Sequence, residues 1–176
     1  MKNRIAYQGR PGAYSHLVCI KAFPNYEPVP CDSFEEVFKK TENKETEISL
    51  IPIENSQAGR VADIHNLLPM SNLVITGEYF HKVSHYLLGC SGSSLDSIKT
   101  AESHLHALAQ CKNFLIKNKI KPIISADTAG AAEEISKVKN NGRAAIASEL
   151  AAKIYNLTIL SSNIEDATHN LSLIHI

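Results

Sequence analysis

Short apolar runs alternate with helix-like patterns along nearly the whole chain. The apolar runs predict strands at residues 5–8, 48–53, 99–101, 123–125, 144–147 and 158–160. Apolar side chains three or four residues apart predict helices at residues 17–23, 33–41, 61–68, 104–116, 131–138 and 151–155. Residues 73–79 and 86–90 have an extended pattern, which 81–85 interrupt. Strands that alternate with helices in this way predict an α/β fold with mostly parallel sheets.

Three of these helices carry the sequence signature of an N-cap. Ser33 and Glu36 form a capping box, in which each side chain can accept a hydrogen bond from the other residue's backbone N–H. Asp127 and Ser148 each precede a helix, and both residue types cap helix N-termini.

The most informative segment follows the strand that ends at Pro52-Ile53. Three polar side chains come next, Glu54, Asn55 and Ser56, and a helical pattern begins at residue 61. Pro52 predicts that the chain leaves the sheet there. The first-turn N–H groups of a helix lack intrahelical partners and attract anions, so the segment predicts an anion site. A plain N-cap before a surface helix is an equal alternative.

Similar polar clusters follow the other predicted strands. They are residues 9–15, Ser103-His104, Asp127-Thr128 and Ser148. Open parallel sheets bind ligands at the carboxyl ends of their strands. Several such clusters with few fixed cations indicate a small organic anion with more than one carboxylate, although helix caps use the same residue types.

Composition excludes several classes of function. The 176 residues carry 18 basic and 18 acidic side chains, so net charge gives no footprint for nucleic acid or for a membrane surface. No stretch has the length and apolarity of a signal peptide or a membrane span. The four cysteines are far apart and indicate buried, reduced thiols. We therefore expect a cytoplasmic globule, of one domain or two small lobes.

Familiar catalytic motifs are not found in the sequence. Gly9 and Gly12 form neither a dinucleotide fingerprint nor a P-loop, and there is no G-x-S-x-G elbow. His104 and His106 are two residues apart at a predicted helix start, so they should face different directions and no metal site is expected. Glu54 could act as a general base, accept a hydrogen bond from a substrate hydroxyl, or simply interact with the helix dipole.

Taken together, the motifs resemble prephenate dehydratase. The matching segments are Gly12-Ala-Tyr-Ser15, Ile51-Pro-Ile-Glu-Asn-Ser56 with Gly59, His85 with Leu87-Leu-Gly89, Ser103-His104 with Ala107-Leu108 and Gln110-Cys111, Asp127-Thr-Ala-Gly-Ala-Ala132, Ala144-Ala-Ile-Ala-Ser148, and Asn163-Ile-Glu-Asp166 with His169-Asn170. The resemblance implies two lobes related to type II periplasmic binding proteins, with the active site in the cleft between them. Lobe 1 would comprise about residues 1–79 plus the C-terminal segment, and lobe 2 about residues 80–165.

The resemblance also implies the chemistry of the site. Prephenate would be the substrate, with no metal and no organic cofactor, in a homodimer or larger assembly. It assigns substrate binding to Asn55, Ser56, Ser103, His104, Gln110 and Thr128. Ser172, which aligns with the family threonine, would be the catalytic hydroxyl, and Glu54 the second catalytic candidate. Arogenate dehydratase and a ligand-binding module without chemistry are the alternatives.

The chain departs from the family at two points. The family has Ser-His-Pro-Gln where this chain has Leu105 and His106 after Ser103-His104, and Thr-Arg-Phe where it has Ser172-Leu173-Ile174. Leu173 cannot replace the charge or bidentate geometry of arginine. We therefore expect weak or no dehydratase activity from this chain.

The last six residues resemble the translation of a transposon end, CTG-TCT-CTT-ATA-CAC-ATC. We expect the native sequence to run only to Asn170, and the regulatory amino-acid-binding domain that commonly follows in the family to lie outside these 176 residues.

Overall fold

The computed structural model describes residues 3–167 and 169–176. The strands of this described part are β1 (Asn3–Gln8), β2 (Tyr26–Cys31), β3 (Ile48–Asn55), β4 (Gly59–Arg60), β5 (Glu78–Lys82), β6 (Tyr86–Gly89), β7 (Thr100–Ser103), β8 (Lys121–Ile124), β9 (Arg143–Ala147), β10 (Thr158–Ser162) and β11 (Leu171–His175). The α-helices are α1 (Tyr14–Ala22), α2 (Phe34–Glu42), α3 (Ala62–Leu67), α4 (Leu105–Gln110), α5 (Lys112–Lys117), α6 (Thr128–Val138) and α7 (Glu149–Ile154). Within the described residues, no helix has the length and apolarity that crossing a membrane requires.

The chain divides into two compact units. Unit 1 is formed by the described residues of Met1–Arg10, Tyr14–Val83 and His169–Ile176, and unit 2 by those of Pro11–Ala13 and Ser84–Thr168.

Unit 1 is built on a sheet of strand order β2-β1-β3-β11-β5, with β4 paired to β3. β1 runs parallel to β2 and β3, whereas β11 runs antiparallel to β3 and β5. Because successive side chains of a strand point to opposite faces, β1 contributes Ile5 and Tyr7 to one apolar cluster and Ala6 to the other.

Unit 2 is built on a second sheet, of order β10-β6-β9-β7-β8. β7 is parallel to β8 and β9, whereas β6 is antiparallel to β9 and β10. Leu87 and Ile146 pack on one face of this sheet, and Leu88, Ala145 and α6 on the other. The predicted α/β class is confirmed, but both sheets are mixed because each receives antiparallel strands beside its parallel ones.

Pro52 lies inside β3, so the prediction that the strand stops there is wrong. β1 pairs with β3 only at residues 48–50, and no partner on that side requires an N–H from Pro52. On the other side, β11 shifts its register between Leu173 and Ile174, next to Pro52. Proline is tolerated where the ladder is interrupted in this way.

The three predicted N-caps are present. The backbone N–H groups of Gly130 and Ala151 donate to Asp127 Oδ1 (2.6 Å) and Ser148 Oγ (3.1 Å). Ser33 accepts from Glu36 N at 3.2 Å, but the Glu36 carboxylate accepts from Asp32 N (2.8 Å). The reciprocal half of the capping box is therefore displaced by one residue.

The predicted helix at 104–116 is interrupted at Cys111, which separates α4 from α5. The Gln110 carbonyl accepts from the backbone N–H of Asp166 at 2.7 Å, and the Asp166 carboxylate accepts from Asn113 N at 3.1 Å. The segment around Asp166 thus supplies hydrogen bonds that a continuous helix would make internally.

Gly12 occupies a position that a side chain cannot fill without strain. Its φ is +93°, and a Cβ atom there would lie 3.0 Å from Ala151 Cα. The carbonyls of Pro11 and Gly12 accept hydrogen bonds from Tyr155 OH (2.8 Å) and Ser148 Oγ (2.6 Å), which fix the loop in place.

We expect Gly12→Ala to lower the free energy of unfolding by about 2 kcal/mol, because the left-handed backbone and the steric contact add. Gly59→Ala is the matched control, since Gly59 also has a positive φ (+83°) but no atom within 4 Å of a Cβ. It should cost only about 1 kcal/mol. Urea titration of both variants measures the difference, and equal losses would contradict the steric part.

Candidate active site

The polar segment after Ile53 lies in a hairpin, so the prediction of a helix N-terminus at Glu54–Ser56 is wrong. β3 continues to Asn55, whose side-chain Oδ1 accepts from Gln57 N (2.9 Å) and Ala58 N (2.8 Å). This Asx turn returns the chain as β4, where Arg60 pairs with Glu54. α3 begins only at Ala62, without a side-chain cap. No helix dipole therefore acts on these three residues from α3.

Asn55 and Ser56 instead hold the C-terminal segment of unit 1. Asn55 Nδ2 donates to Asn170 Oδ1 at 2.8 Å, and Asn170 is fully buried. Ser56 Oγ donates to the His169 carbonyl (3.1 Å) and accepts from Leu171 N (3.0 Å). Their predicted contact with substrate stays a prediction. Asn170 was not among the predicted site residues, although it belongs to the quoted His169-Asn170 motif.

β11 brings Ser172 into the middle of the unit 1 sheet. Ser172 is in register with Asn55 of β3 and His81 of β5, and Leu173 is in register with Glu54 and Phe80. Side chains that pair across a sheet share a face. Ser172 therefore shares a face with Asn55 and His81, while Glu54 projects to the opposite face.

This separation limits the predicted catalytic pair. Ser172 and Glu54 do not approach the same side of the sheet. The residue that shares the face of Ser172 and was missed is His81, which is buried. The only sequence signal for it was the interruption of the extended pattern at 81–85.

Three polar clusters of unit 2 lie at one edge of its sheet. Ser103 ends β7, and residues 127–128 and Ser148 follow β8 and β9, which are both parallel to β7. The carboxyl ends of parallel strands meet at the same edge, as a ligand site in an α/β sheet requires. Thr128 is the first residue of α6 and is half-buried.

Ser103 is itself fully buried at this edge. Its hydroxyl donates to the Ile146 carbonyl at 2.6 Å, which ties β7 to β9. The single hydroxyl proton is used in this bond, so Ser103 can offer a ligand only its oxygen lone pairs.

His104 is the N-cap of α4, and its Nδ1 accepts from His106 N at 3.3 Å. The two rings lie 5.1 Å apart, so the expectation that they face different directions is wrong, because His104 precedes the helix. Burial lowers the pKa of His104, the charge of His106 lowers it further, and Asp127 opposes both. The imidazole is therefore neutral near pH 7, with its proton on Nε2.

Gln110 ends α4 and contacts a buried histidine. The Nε2 atom of His85 lies 2.6 Å from Gln110 Oε1. His85 belongs to the quoted motifs but was not among the predicted site residues.

Two other kinds of site lack support. Among the described residues, no group of three or more His, Cys, Asp or Glu side chains is arranged to hold a metal ion. A cavity of about 230 Å³ in unit 1 is lined mainly by apolar side chains, among them Ile51, Ile64 and Leu73, and by none of the predicted site residues. Such a lining does not stabilise an anion.

The cysteines are poor nucleophiles. All four are free and buried. Burial raises the pKa of Cys19 to about 12 and that of Cys31 to about 11, and it raises the pKa of Cys111 as well. Because the thiolate is the reactive form, the thiols should be inert near neutral pH.

We expect none of the four thiols to react rapidly with Ellman's reagent in the native protein, and all four to react in denaturant. Absorbance of the released thionitrobenzoate measures the number of reactive thiols. One thiol reacting at once in the native protein would contradict the prediction.

The sequence matches the model of the prephenate dehydratase family over residues 5–172. The bifunctional N-acyl-homoserine lactone acylase/prephenate dehydratase of Komagataeibacter europaeus is 42% identical over 172 residues, 98% of this chain and 61% of that protein. Arogenate dehydratase/prephenate dehydratase 2 of Arabidopsis thaliana is 42% identical over 169 residues, 96% of this chain and 44% of that protein. The chain thus spans between 44% and 61% of the length of these relatives.

Solved structures give the same result. The quorum-quenching acylase GqqA is 40% identical, with a TM-score of 0.92 over 98% of this chain and 63% of that one. The prephenate dehydratase of Staphylococcus aureus is 26% identical, with a TM-score of 0.84 over 98% of this chain and 64% of that one.

A more distant likeness concerns the fold alone. A Bacillus subtilis protein described as a methionine-binding lipoprotein is 10% identical, with a TM-score of 0.50 over 99% of this chain and 83% of that one. The predicted relation to the periplasmic-binding-protein fold is confirmed at this level. By the match to the family model and the identity to its members, the chain belongs to the prephenate dehydratase family.

Proposed function

We propose that this chain is the catalytic domain of an enzyme that converts prephenate to phenylpyruvate in phenylalanine biosynthesis. The observation that carries the proposal is the edge of the unit 2 sheet, where Ser103-His104, residues 127–128 and Ser148 follow three mutually parallel strands. These clusters suit an anionic substrate, and they lie within the family match over residues 5–172. We place the protein in the cytoplasm, as a homodimer or larger, without metal or organic cofactor.

The reaction sets the requirements for the site. The bond from the ring to its carboxylate breaks and its electron pair forms the aromatic ring. The ring C–O bond breaks in turn, and the hydroxyl leaves as water after it gains one proton. One carbon dioxide is released, and the pyruvyl carboxylate remains in phenylpyruvate. Catalysis therefore needs a proton donor at the leaving hydroxyl and hydrogen-bond donors for the retained carboxylate.

We assign these tasks to side chains of both units. The substrate-binding residues are Asn55, Ser56, Ser103, His104, Gln110 and Thr128. Thr128 offers a hydroxyl at the first turn of α6, where the helix dipole also favours an anion. His104, neutral with its proton on Nε2, offers an N–H. Ser172 is the candidate for the proton donor, and Glu54 is the second catalytic candidate on the opposite face of the sheet.

The test is phenylpyruvate formation from prephenate, followed by absorbance. It uses this chain and its Ser172→Thr/Leu173→Arg/Ile174→Phe variant, since the family motif is replaced here. Thr128→Val in the restored background removes the hydroxyl at nearly constant volume and should lower turnover about 100-fold. The absence of phenylpyruvate from both the chain and the restored variant would overturn the proposal.

Arogenate is the rival substrate, because the Arabidopsis relative carries both names. The same reaction on arogenate yields phenylalanine directly. Competition between the two substrates, with both products quantified, decides between them. A ligand-binding module without chemistry, favoured by Leu173, would bind prephenate in calorimetry without turnover.

The relative from Komagataeibacter europaeus is named for a second activity, an N-acyl-homoserine lactone acylase. Release of a fatty acid from such a lactone serves as the counter-assay on the same purified protein. Activity in that assay without phenylpyruvate formation would move this chain to a different function.

A further inference from the structure

Segment 164–166 of unit 2 fixes the backbones of two residues that are distant in sequence. The Ile164 N–H donates to the His85 carbonyl (3.1 Å), and the His85 N–H donates to Glu165 Oε2 (2.9 Å). The next residue, Asp166, donates its N–H to the Gln110 carbonyl at 2.7 Å. His85 and Gln110 are therefore held from one segment, which leaves little freedom in the distance between them.

The side chains of these two residues meet inside this frame. His85 is 2% exposed, and its Nε2 lies 2.6 Å from Gln110 Oε1. Burial lowers the pKa of His85, while the hydrogen bond to Gln110 and the charge of Glu165 oppose the shift. A neutral imidazole facing a carbonyl oxygen carries its proton on Nε2 and donates it.

The orientation of the Gln110 amide decides what that residue offers to an anion. With Oε1 accepting from His85, the two N–H donors of the amide are available to partners other than His85. The flipped amide would present an oxygen in their place, and an oxygen repels a carboxylate. The two orientations have nearly the same shape, so packing alone selects weakly between them.

We propose that His85 is a positioning residue that fixes the Gln110 amide with its N–H donors towards the substrate. The inference rests on the proposed function, in which Gln110 binds prephenate. His85 does not touch the substrate in this account. It acts through Gln110, and its loss weakens binding of a carboxylate that is retained throughout the reaction. KM should therefore rise about tenfold while kcat changes little.

A double-mutant cycle tests this dependence. His85→Leu should raise KM about tenfold, and the same change should have no further effect in a Gln110→Ala background. His85→Gln retains an N–H donor at nearly the same reach and should keep KM within about threefold of the parent. The parent is the more active of the chain and its Ser172→Thr/Leu173→Arg/Ile174→Phe variant, and prephenate dissociation constants replace KM if turnover is absent.

Nitrogen-15 NMR of the imidazole in the unliganded chain gives a readout that needs neither substrate nor folded variants. The shifts identify the protonated nitrogen, and Nε2–H is expected at pH 7. Protonation on Nδ1, an equal effect of His85→Leu in both backgrounds, or an equal loss in His85→Gln and His85→Leu would each overturn the proposal. Failure of the proposed function is distinguishable, because it abolishes phenylpyruvate formation and leaves the tautomer unchanged.

Discussion

Restoring the family sequence at residues 172–174 is expected to raise prephenate turnover by at least about two orders of magnitude, the usual effect of one positioned hydrogen-bonding group. In this chain Leu173 is in register with Glu54, which β4 also pairs with Arg60. An arginine at 173 would share a face with the Glu54 carboxylate and could pair with it in bidentate geometry. Leu173→Arg alone should therefore give most of the gain.

Leu173→Met is the matched control, because it keeps the side chain long and apolar without the charge. It should leave turnover at the level of the unmodified chain, which we expect to lie more than tenfold below that of an intact relative. Glu54→Gln in the Leu173→Arg background separates two roles of the arginine. Loss of the gain would place the arginine under the control of Glu54, and retention would point to direct contact with substrate.

The third position of the motif needs separate treatment. Ile174 is 3% exposed and packs with Ile5, Tyr7 and Leu50. A larger ring at this position costs about 1–3 kcal/mol where the core cannot adjust. The Ser172→Thr/Leu173→Arg variant is therefore the control for the triple change. Equal turnover of Leu173→Arg, Leu173→Met and the unmodified chain would contradict the prediction.

Asn55→Ala should lower the free energy of unfolding by about 3 kcal/mol, the largest effect on stability that we expect. The side chain accepts from the backbone N–H groups of Gln57 and Ala58 and donates to the fully buried Asn170. Each bond is worth about 1 kcal/mol, and the buried amide that loses its partner adds a desolvation cost. The turn into β4 and the attachment of β11 should both weaken.

Asn55→Asp is the control for the turn. Its carboxylate can still accept from Gln57 N and Ala58 N, and a rotated Asn170 amide can donate to it. The loss should then stay near 1 kcal/mol. Chemical denaturation gives both values. An Asn55→Asp variant as unstable as Asn55→Ala would show that the contact between the two amides dominates over the turn.

The parts of the fold that depend on neighbouring residues were predictable. Asp127 and Ser148 cap helices because a short polar side chain reaches the N–H three residues ahead, and that geometry is local. The alternation of strand and helix patterns likewise gave the α/β class. Three polar clusters at one edge of the unit 2 sheet followed from the same alternation.

The errors arose where distant residues decide the local structure. Pro52 remains inside a strand because β11, from the far end of the chain, covers one side of β3. The break at Cys111 depends on Asp166, which takes over the Gln110 carbonyl. The placement of Glu54 failed for a local reason, since the Asx turn at Asn55 was interpreted as a helix cap. Both structures use the same residue types.

The position of β11 has a consequence for the order of folding. This strand lies between β3 and β5, yet its residues are synthesised last, after the whole of unit 2. Until then, β3 and β5 each present an edge with unpaired backbone groups, which invites pairing with another chain. Contacts so distant in sequence also close slowly. The first unit to emerge from the ribosome is therefore the last to complete its sheet, and its exposure during synthesis makes it the more dependent of the two on chaperones.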